Sequence, residues 1–88
     1  MNLSLQPVQV ATGSKDQESR LVFLDGFLVA VLIRLSDEHE ADAGRWFLEA
    51  GFGLVDCIRP ATFADLDEAQ AWIAGQVLEA KRPLHLVK

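Results

Sequence analysis

The sequence predicts a small α+β domain, in which an antiparallel sheet of about three to five strands packs on one C-terminal amphipathic helix. Two patterns lead to this prediction. Asp25-Gly26 separates two runs of β-forming residues, and apolar residues recur at helical spacing over about 65–81. The 88 residues fit a single domain, 1–88, in which the polar segments 11–19 and 36–44 are expected to be mobile loops.

The Asp25-Gly26 pair predicts a β-hairpin at the centre of the sheet. Aspartate and glycine both accept the positive φ of a type I′ turn, whose twist matches that of the strands it joins. The pairs expected across a two-residue loop are Leu24 with Phe27, Val22 with Val29, and Arg20 with Val31.

Both faces of this hairpin are apolar. One expected row holds Val22, Leu24, Phe27, Val29, Val31, Ile33 and Leu35 with Arg20, and the other holds Leu21, Phe23, Leu28, Ala30 and Leu32 with Arg34. A sheet with one solvated face should alternate apolar and polar residues, so each face of this hairpin needs a cover. One helix of about 16 residues covers one face only. The other face must meet a second sheet layer, the N-terminal segment or another copy of the chain.

Two further segments have strand character. The N-terminal segment 1–10 alternates weakly and contains Pro7, which lacks a backbone N–H, so it is expected at most as an edge strand. The segment 45–58 alternates over a length that exceeds the usual strand, and Gly51 and Gly53 predict a bend or a split within it.

The C-terminal helix has a recognisable start. Asp65 is placed to cap it by accepting a hydrogen bond from the backbone amide of Glu68, whose side chain can reach back. Pro83 is expected to end the helix, and the sequence leaves open whether 84–88 adds a last strand.

The charge and composition exclude several classes of protein. Thirteen acidic residues against eight basic ones give a net charge of −5, and the basic residues are scattered, which argues against nucleic-acid binding. No apolar tract reaches the length of about 20 residues that a membrane span needs, and the N-terminus lacks a signal-peptide pattern. We therefore expect a cytoplasmic protein with no membrane partner.

No motif predicts a metal, a cofactor or a catalytic centre. The acidic segment 37–42 contains one histidine, His39, among loop carboxylates, whereas zinc and iron sites normally use two or more histidines or thiolates. Cys57 is the only cysteine, so an internal disulfide is impossible. An enzyme using Glu49, Asp56, Cys57 or His85 is the least favoured hypothesis, because nothing local activates these groups.

One charged residue suggests a ligand site. Glu49 lies in an aromatic-rich segment with Trp46 and Phe52, and a carboxylate beside aromatic rings can bind an apolar or cationic small molecule. The alternative is that Glu49 pairs with Arg34 or Arg45 across the sheet.

The leading functional hypothesis is a non-enzymatic interaction module that forms a homodimer. A chain this short buries only about 60 to 65 per cent of its unfolded surface, and without a disulfide its remaining aid is self-association. The expected interface is the row of Phe27, Val29, Val31 and Ile33, or else the opposite row. In a variant of this hypothesis, the sheet edge accepts a strand from another protein.

Overall fold

The sheet has five strands and one helix packs on it. A computed structural model describes residues 2–9, 11, 18–55 and 62–80. The elements are β1 (Leu3–Gln9), β2 (Glu18–Leu24), β3 (Phe27–Arg34), β4 (Trp46–Gly51), β5 (Thr62–Phe63) and α1 (Leu66–Ala80), with 3₁₀ segments at Asp37–Asp42 and Gly53–Val55. The strands are all antiparallel and lie in the order β1-β2-β3-β4-β5. This confirms the predicted α+β class, the central hairpin and the N-terminal edge strand.

The turn between β2 and β3 has the predicted geometry. Asp25 has φ 51° and Gly26 has φ 91°, the two positive values that a type I′ turn requires. The backbone amide of Asp25 donates to the carbonyl of Asn2 (3.0 Å), and the amide of Asn2 donates to Oδ1 of Asp25 (3.2 Å). The turn is therefore also fastened to the chain that leads into β1.

A β-bulge changes the register that a plain hairpin would have. Leu24 lies opposite Phe27 as predicted, but the register shifts beyond Phe23. The pairs after the shift are Val22 with Ala30, Leu21 with Val31, Arg20 with Leu32, and Ser19 with Ile33. The predicted pairs Val22–Val29 and Arg20–Val31 are wrong, because Val29 is the extra residue that a bulge inserts into one strand.

The core lies between the sheet and α1. The buried cluster includes two neighbouring residues at the bulge of β3. They are Val29, the inserted residue, and Ala30, which pairs with Val22 of β2. The other members are Val22, Leu24, Leu32, Trp46, Leu48, Val55 and Phe63 from the sheet side, and Ala69, Ile73 and Val77 from the helix. Leu3 and Leu5 of β1 pack against this cluster. We call this side of the sheet the helix face.

Within the residues that the structure describes, α1 packs on the helix face and no helix packs on the opposite side of the sheet. Side chains alternate along a strand, so the residues between those of the helix face point the other way. On the central strands β2, β3 and β4, six of them are apolar and at least partly accessible: Leu21, Phe23, Leu28, Val31, Phe47 and Ala50. We call this set the open face. Ile33 and Ser19 lie on the same side but are buried, with 3% and 0% of their surface exposed.

β4 is shorter than the segment 45–58 whose alternating pattern predicts strand structure. A second bulge places Val31 opposite Ala50 and Leu32 opposite Leu48, with Glu49 as the extra residue. β4 ends at Gly51, and Gly53 takes a positive φ of 58° as the chain enters a 3₁₀ turn. The predicted bend or split at these two glycines is confirmed.

The polar segment 36–44 is closed at its ends by hydrogen bonds of the kind that pair antiparallel strands. The amide of Leu35 donates to the carbonyl of Arg45 and the amide of Gly44 donates to the carbonyl of Leu35, both at 2.8 Å. Between them the chain forms 3₁₀ turns over Asp37–Asp42, broken at Glu40 (φ 50°). In the other predicted loop, 11–19, Glu18 and Ser19 belong to β2, and 12–17 lie outside the described residues. The mobility of both loops stays a prediction.

The helix begins where its cap was predicted. The amide of Glu68 donates to Oδ1 of Asp65 at 2.8 Å, so Asp65 is the N-cap. The Glu68 carboxylate accepts from the amide of Ala64 (3.1 Å), one residue before the cap. Ala69, Ile73 and Val77 are fully buried on the inner side of the helix.

In the described part of the chain, no helix is long and apolar enough to cross a bilayer. The predicted stop at Pro83 and the undecided segment 84–88 lie outside the described residues.

We expect Asp65→Ala to lower the free energy of unfolding by about 1 kcal/mol, because the first-turn amide of Glu68 loses its acceptor. Asp65→Asn is the matched control and should lower the free energy of unfolding by only about 0.3 kcal/mol, since asparagine caps nearly as well. Urea denaturation followed by circular dichroism measures both. Equal losses for the two variants would contradict the capping role.

Candidate functional site

The open face is an uncharged, apolar surface on the side of the sheet opposite to α1. Its centre lies on β2 and β3, where Leu21 is opposite Val31 and Phe23 is opposite Leu28. β4 extends it, since Val31 is also opposite Ala50. Leu28 is 39% exposed, and the other five residues are half-buried. The surface is therefore apolar and accessible on three adjacent strands.

Uncharged polar residues flank the open face. Ser4 and Gln6 lie opposite Phe23 and Leu21 on the β1 side, and Thr62 lies opposite Phe47 on the β5 side. All three are exposed. An apolar centre with a polar rim is the arrangement found in protein–protein interfaces.

The bulge distributes the four predicted interface residues between the two faces. Val31 and Ile33 lie on the side of the open face, whereas Val29 is 7% exposed and belongs to the helix-face core. Phe27, opposite Leu24, is 76% exposed at the hairpin tip. The expected single row of four residues does not exist, because the extra residue at Val29 reverses the alternation within it.

A depression of about 380 Å³ lies at the hairpin tip. Its exposed walls are Phe27 and Phe52, which are 76% and 45% exposed. Leu24 and Val29 lie beneath as part of the core, and among the described residues Asp25 is the only charged one that lines it. The remaining lining residues are Leu28 and Gly53. We call this depression the tip site.

The predicted ligand residues Trp46, Glu49 and Phe52 lie in different environments. Trp46 is 6% exposed and lies in the helix-face core opposite Arg34, whereas the amide of Phe52 donates to the carbonyl of Val29 near the tip. Glu49 is exposed at the bulge between them. Only Phe52 belongs to the tip site.

The ring of Trp46 already has a cation on its face. Cζ of Arg20 lies 5.1 Å from the centre of the ring, within the range of a cation–π interaction. Nη1 of Arg20 also donates to the carbonyl of Ser19 at 2.9 Å. Glu18 contacts Arg20 (3.4 Å) and Arg34 (3.5 Å), so one carboxylate joins two arginines at this end of the sheet.

The cross-strand partners expected for Glu49 bind elsewhere. Arg34 contacts Glu18, and Arg45 contacts Asp42 at 4.0 Å and Thr62 at 3.4 Å. The bulge explains the difference, because it takes Glu49 out of the paired register.

The structure brings together no metal or catalytic constellation in the residues it describes. Among them, no three of the residue types His, Cys, Asp and Glu converge as metal ligands. His39 is exposed on the acidic segment. Asp56, Cys57 and His85, which entered the enzyme hypothesis, lie outside the described residues.

Comparison of the chain with protein-family models, with curated proteins and with solved structures found no match.

We expect Arg20→Ala to lower the free energy of unfolding by about 1 to 2 kcal/mol, because it removes the cation–π contact with Trp46 and a side chain that is mostly buried. Arg34→Ala is the control, since its side chain is 52% exposed against 21% for Arg20. An exposed ion pair contributes little, so its loss should cost less than about 0.5 kcal/mol. Urea denaturation distinguishes the two, and equal costs would contradict the role of the Arg20–Trp46 contact.

Proposed function

We propose that this protein is a non-enzymatic interaction module that forms a homodimer through the open face. One observation carries the proposal: the helix packs on one side of the sheet, and the other side presents six accessible apolar residues on three neighbouring strands. Monomeric proteins rarely keep a continuous apolar surface of this kind in water.

The charge distribution supports a second copy as the partner. Each chain carries a net charge of −5, so two copies repel one another at long range. The six residues of the open face and the flanking Ser4, Gln6 and Thr62 are uncharged, and the guanidinium of Arg45, which contacts Thr62 and Asp42, lies at the rim. An apolar centre without charges allows the same surface on two copies to meet without like-charge repulsion, as a two-fold symmetric interface requires.

The position of the open face also suits a symmetric contact. Val31 lies on the middle strand of the five, between Leu21 of β2 and Ala50 of β4. When two such sheets pack face to face, about 10 Å apart, their large side chains interdigitate. Phe23 and Phe47 would contribute the largest apolar areas, each with its ring beside the smaller Val31 of the other copy.

Self-association also meets the stability requirement of the chain. A domain of 88 residues leaves a large fraction of its apolar surface in water, and its single cysteine allows no internal cross-link. In a dimer, the open face of each copy would cover the open face of the other. The sheet then becomes the inner layer of a helix–sheet–sheet–helix sandwich.

We expect the protein to elute as a dimer in size-exclusion chromatography with multi-angle light scattering at micromolar concentration. Val31→Glu should convert it to a monomer, because pairing two carboxylates in an apolar contact costs several kcal/mol, on the order of what a buried charge costs. A matched control is Leu78→Glu, which introduces the same charge at a residue that is 59% exposed on α1.

The control variant should remain dimeric, and circular dichroism verifies that both variants keep the fold. A wild-type protein that is a compact monomer at about 100 μM would overturn the proposal, since a stable dimer of this size binds more tightly than that. So would a Val31→Glu protein that is folded and still dimeric.

A further inference from the structure

Two exposed phenylalanines stand at the hairpin tip, away from the centre of the open face. Phe27 is the most exposed of the large apolar residues in the described part of the chain, at 76%, and Phe52 follows at 45% in the same depression. Leu24 and Val29 beneath them are buried and belong to the core. The tip site therefore has a fixed apolar floor and two accessible aromatic walls.

The walls are held in place by the backbone. The type I′ turn sets the position of Phe27, and the two hydrogen bonds between Asp25 and Asn2 fasten the turn to the chain before β1. The amide of Phe52 donates to the carbonyl of Val29 at 2.9 Å, which fixes the second wall relative to the floor. A ligand that enters this site pays little for ordering the backbone.

The charge at the site is negative. Of the described residues that line the depression, Asp25 alone is charged, and its carboxylate accepts a hydrogen bond from the amide of Asn2. Among the described residues, the arginines pair with Glu18 and Asp42, and none pairs with Asp25. The turn itself does not need this charge, because asparagine adopts the same left-handed conformation and can accept the same hydrogen bond.

We propose that the tip site binds a small organic ammonium ion that carries an aromatic or short aliphatic body. The body would pack between Phe27 and Phe52 on the apolar floor, and the ammonium group would lie near the Asp25 carboxylate and the negative ring faces. An anion of the same shape would be repelled by Asp25 and by the net charge of the chain.

The size of the depression sets the class of ligand. Its volume of about 380 Å³ lies at the lower end of the range of about 300 to 1,000 Å³ that ligand pockets occupy. One ring with a short amine chain fits such a space. This proposal keeps the ligand chemistry expected from the sequence but assigns it to Asp25 and Phe27 beside Phe52, because Arg20 occupies the face of Trp46.

The probe for this site is 2-phenylethylammonium, titrated into ¹⁵N-labelled full-length protein and followed by amide chemical shifts. The matched probe is 3-phenylpropionate, which has a similar size and the opposite charge. We expect saturable shifts for the ammonium at Gly26, Phe27, Phe52 and Gly53, and at least about fivefold weaker binding of the carboxylate, as expected when one nearby charge changes sign.

Two variants connect the binding to named side chains. Phe27→Ser should weaken binding of the ammonium about tenfold, because one aromatic wall is lost. Asp25→Asn should keep the turn and bring the affinities of the two probes to within about twofold of each other. Leu78→Ser is the control, since it removes another exposed apolar residue, on α1, and should leave both affinities unchanged.

Three results would overturn the proposal. The first is the absence of saturable shifts up to about 20 mM ammonium, a concentration that detects dissociation constants up to the millimolar range. The second is equal binding of both probes to the wild-type protein. The third is loss of self-association in folded Phe27→Ser, which would assign the tip to a contact between two copies of the chain.

Discussion

The extra residue at Val29 determines which side chains of the sheet reach the helix and which remain on the open face. Without it, strict alternation would carry Val29, Val31 and Ile33 to the same side as Leu24. The bulge instead directs Val29 and Ala30 into the core and returns Val31 to the opposite side. A shift of one residue on the central strand thus changes the composition of both faces.

The bulge also explains how one helix suffices for the core. It places two consecutive β3 residues, Val29 and Ala30, in the buried cluster that α1 also joins, so the core gains a side chain without a longer strand. The small side chain of Ala30 is 0% exposed. Since α1 covers this one side, the apolar residues that the bulge sends to the other side meet no helix among the described residues.

The parts of the fold that depend on neighbours in sequence could be predicted. The Asp25-Gly26 turn follows from the positive φ values that the two residues accept. The helix cap follows from the position of the Asp65 carboxylate, three residues before the backbone amide of Glu68. The break after β4 follows from Gly51 and Gly53. Each depends on a few adjacent residues, so the sequence contains the whole physical cause.

The surfaces could not be predicted in the same way, because they depend on pairing across strands. No residue type marks Val29 or Glu49 as the inserted residue of a bulge, and either strand of a pair can accommodate it. The predicted grouping of Trp46, Glu49 and Phe52 rests on their closeness in one aromatic-rich segment, and the second bulge and the end of β4 place them in different environments. The tip site was missed because Asp25 was assigned to the turn alone.

The edges and the open face of the sheet differ in a way that bears on how copies of the chain meet. Pro7 interrupts the donors along β1, the outer strand on one side, and β5 on the other side is only two residues long. Such short or proline-containing edges limit pairing with a further strand. Among the described residues, the open face has no comparable protection, since its six apolar residues carry no charge among them. These edges agree with the proposed contact between copies, which is face to face through side chains rather than edge to edge through the backbone.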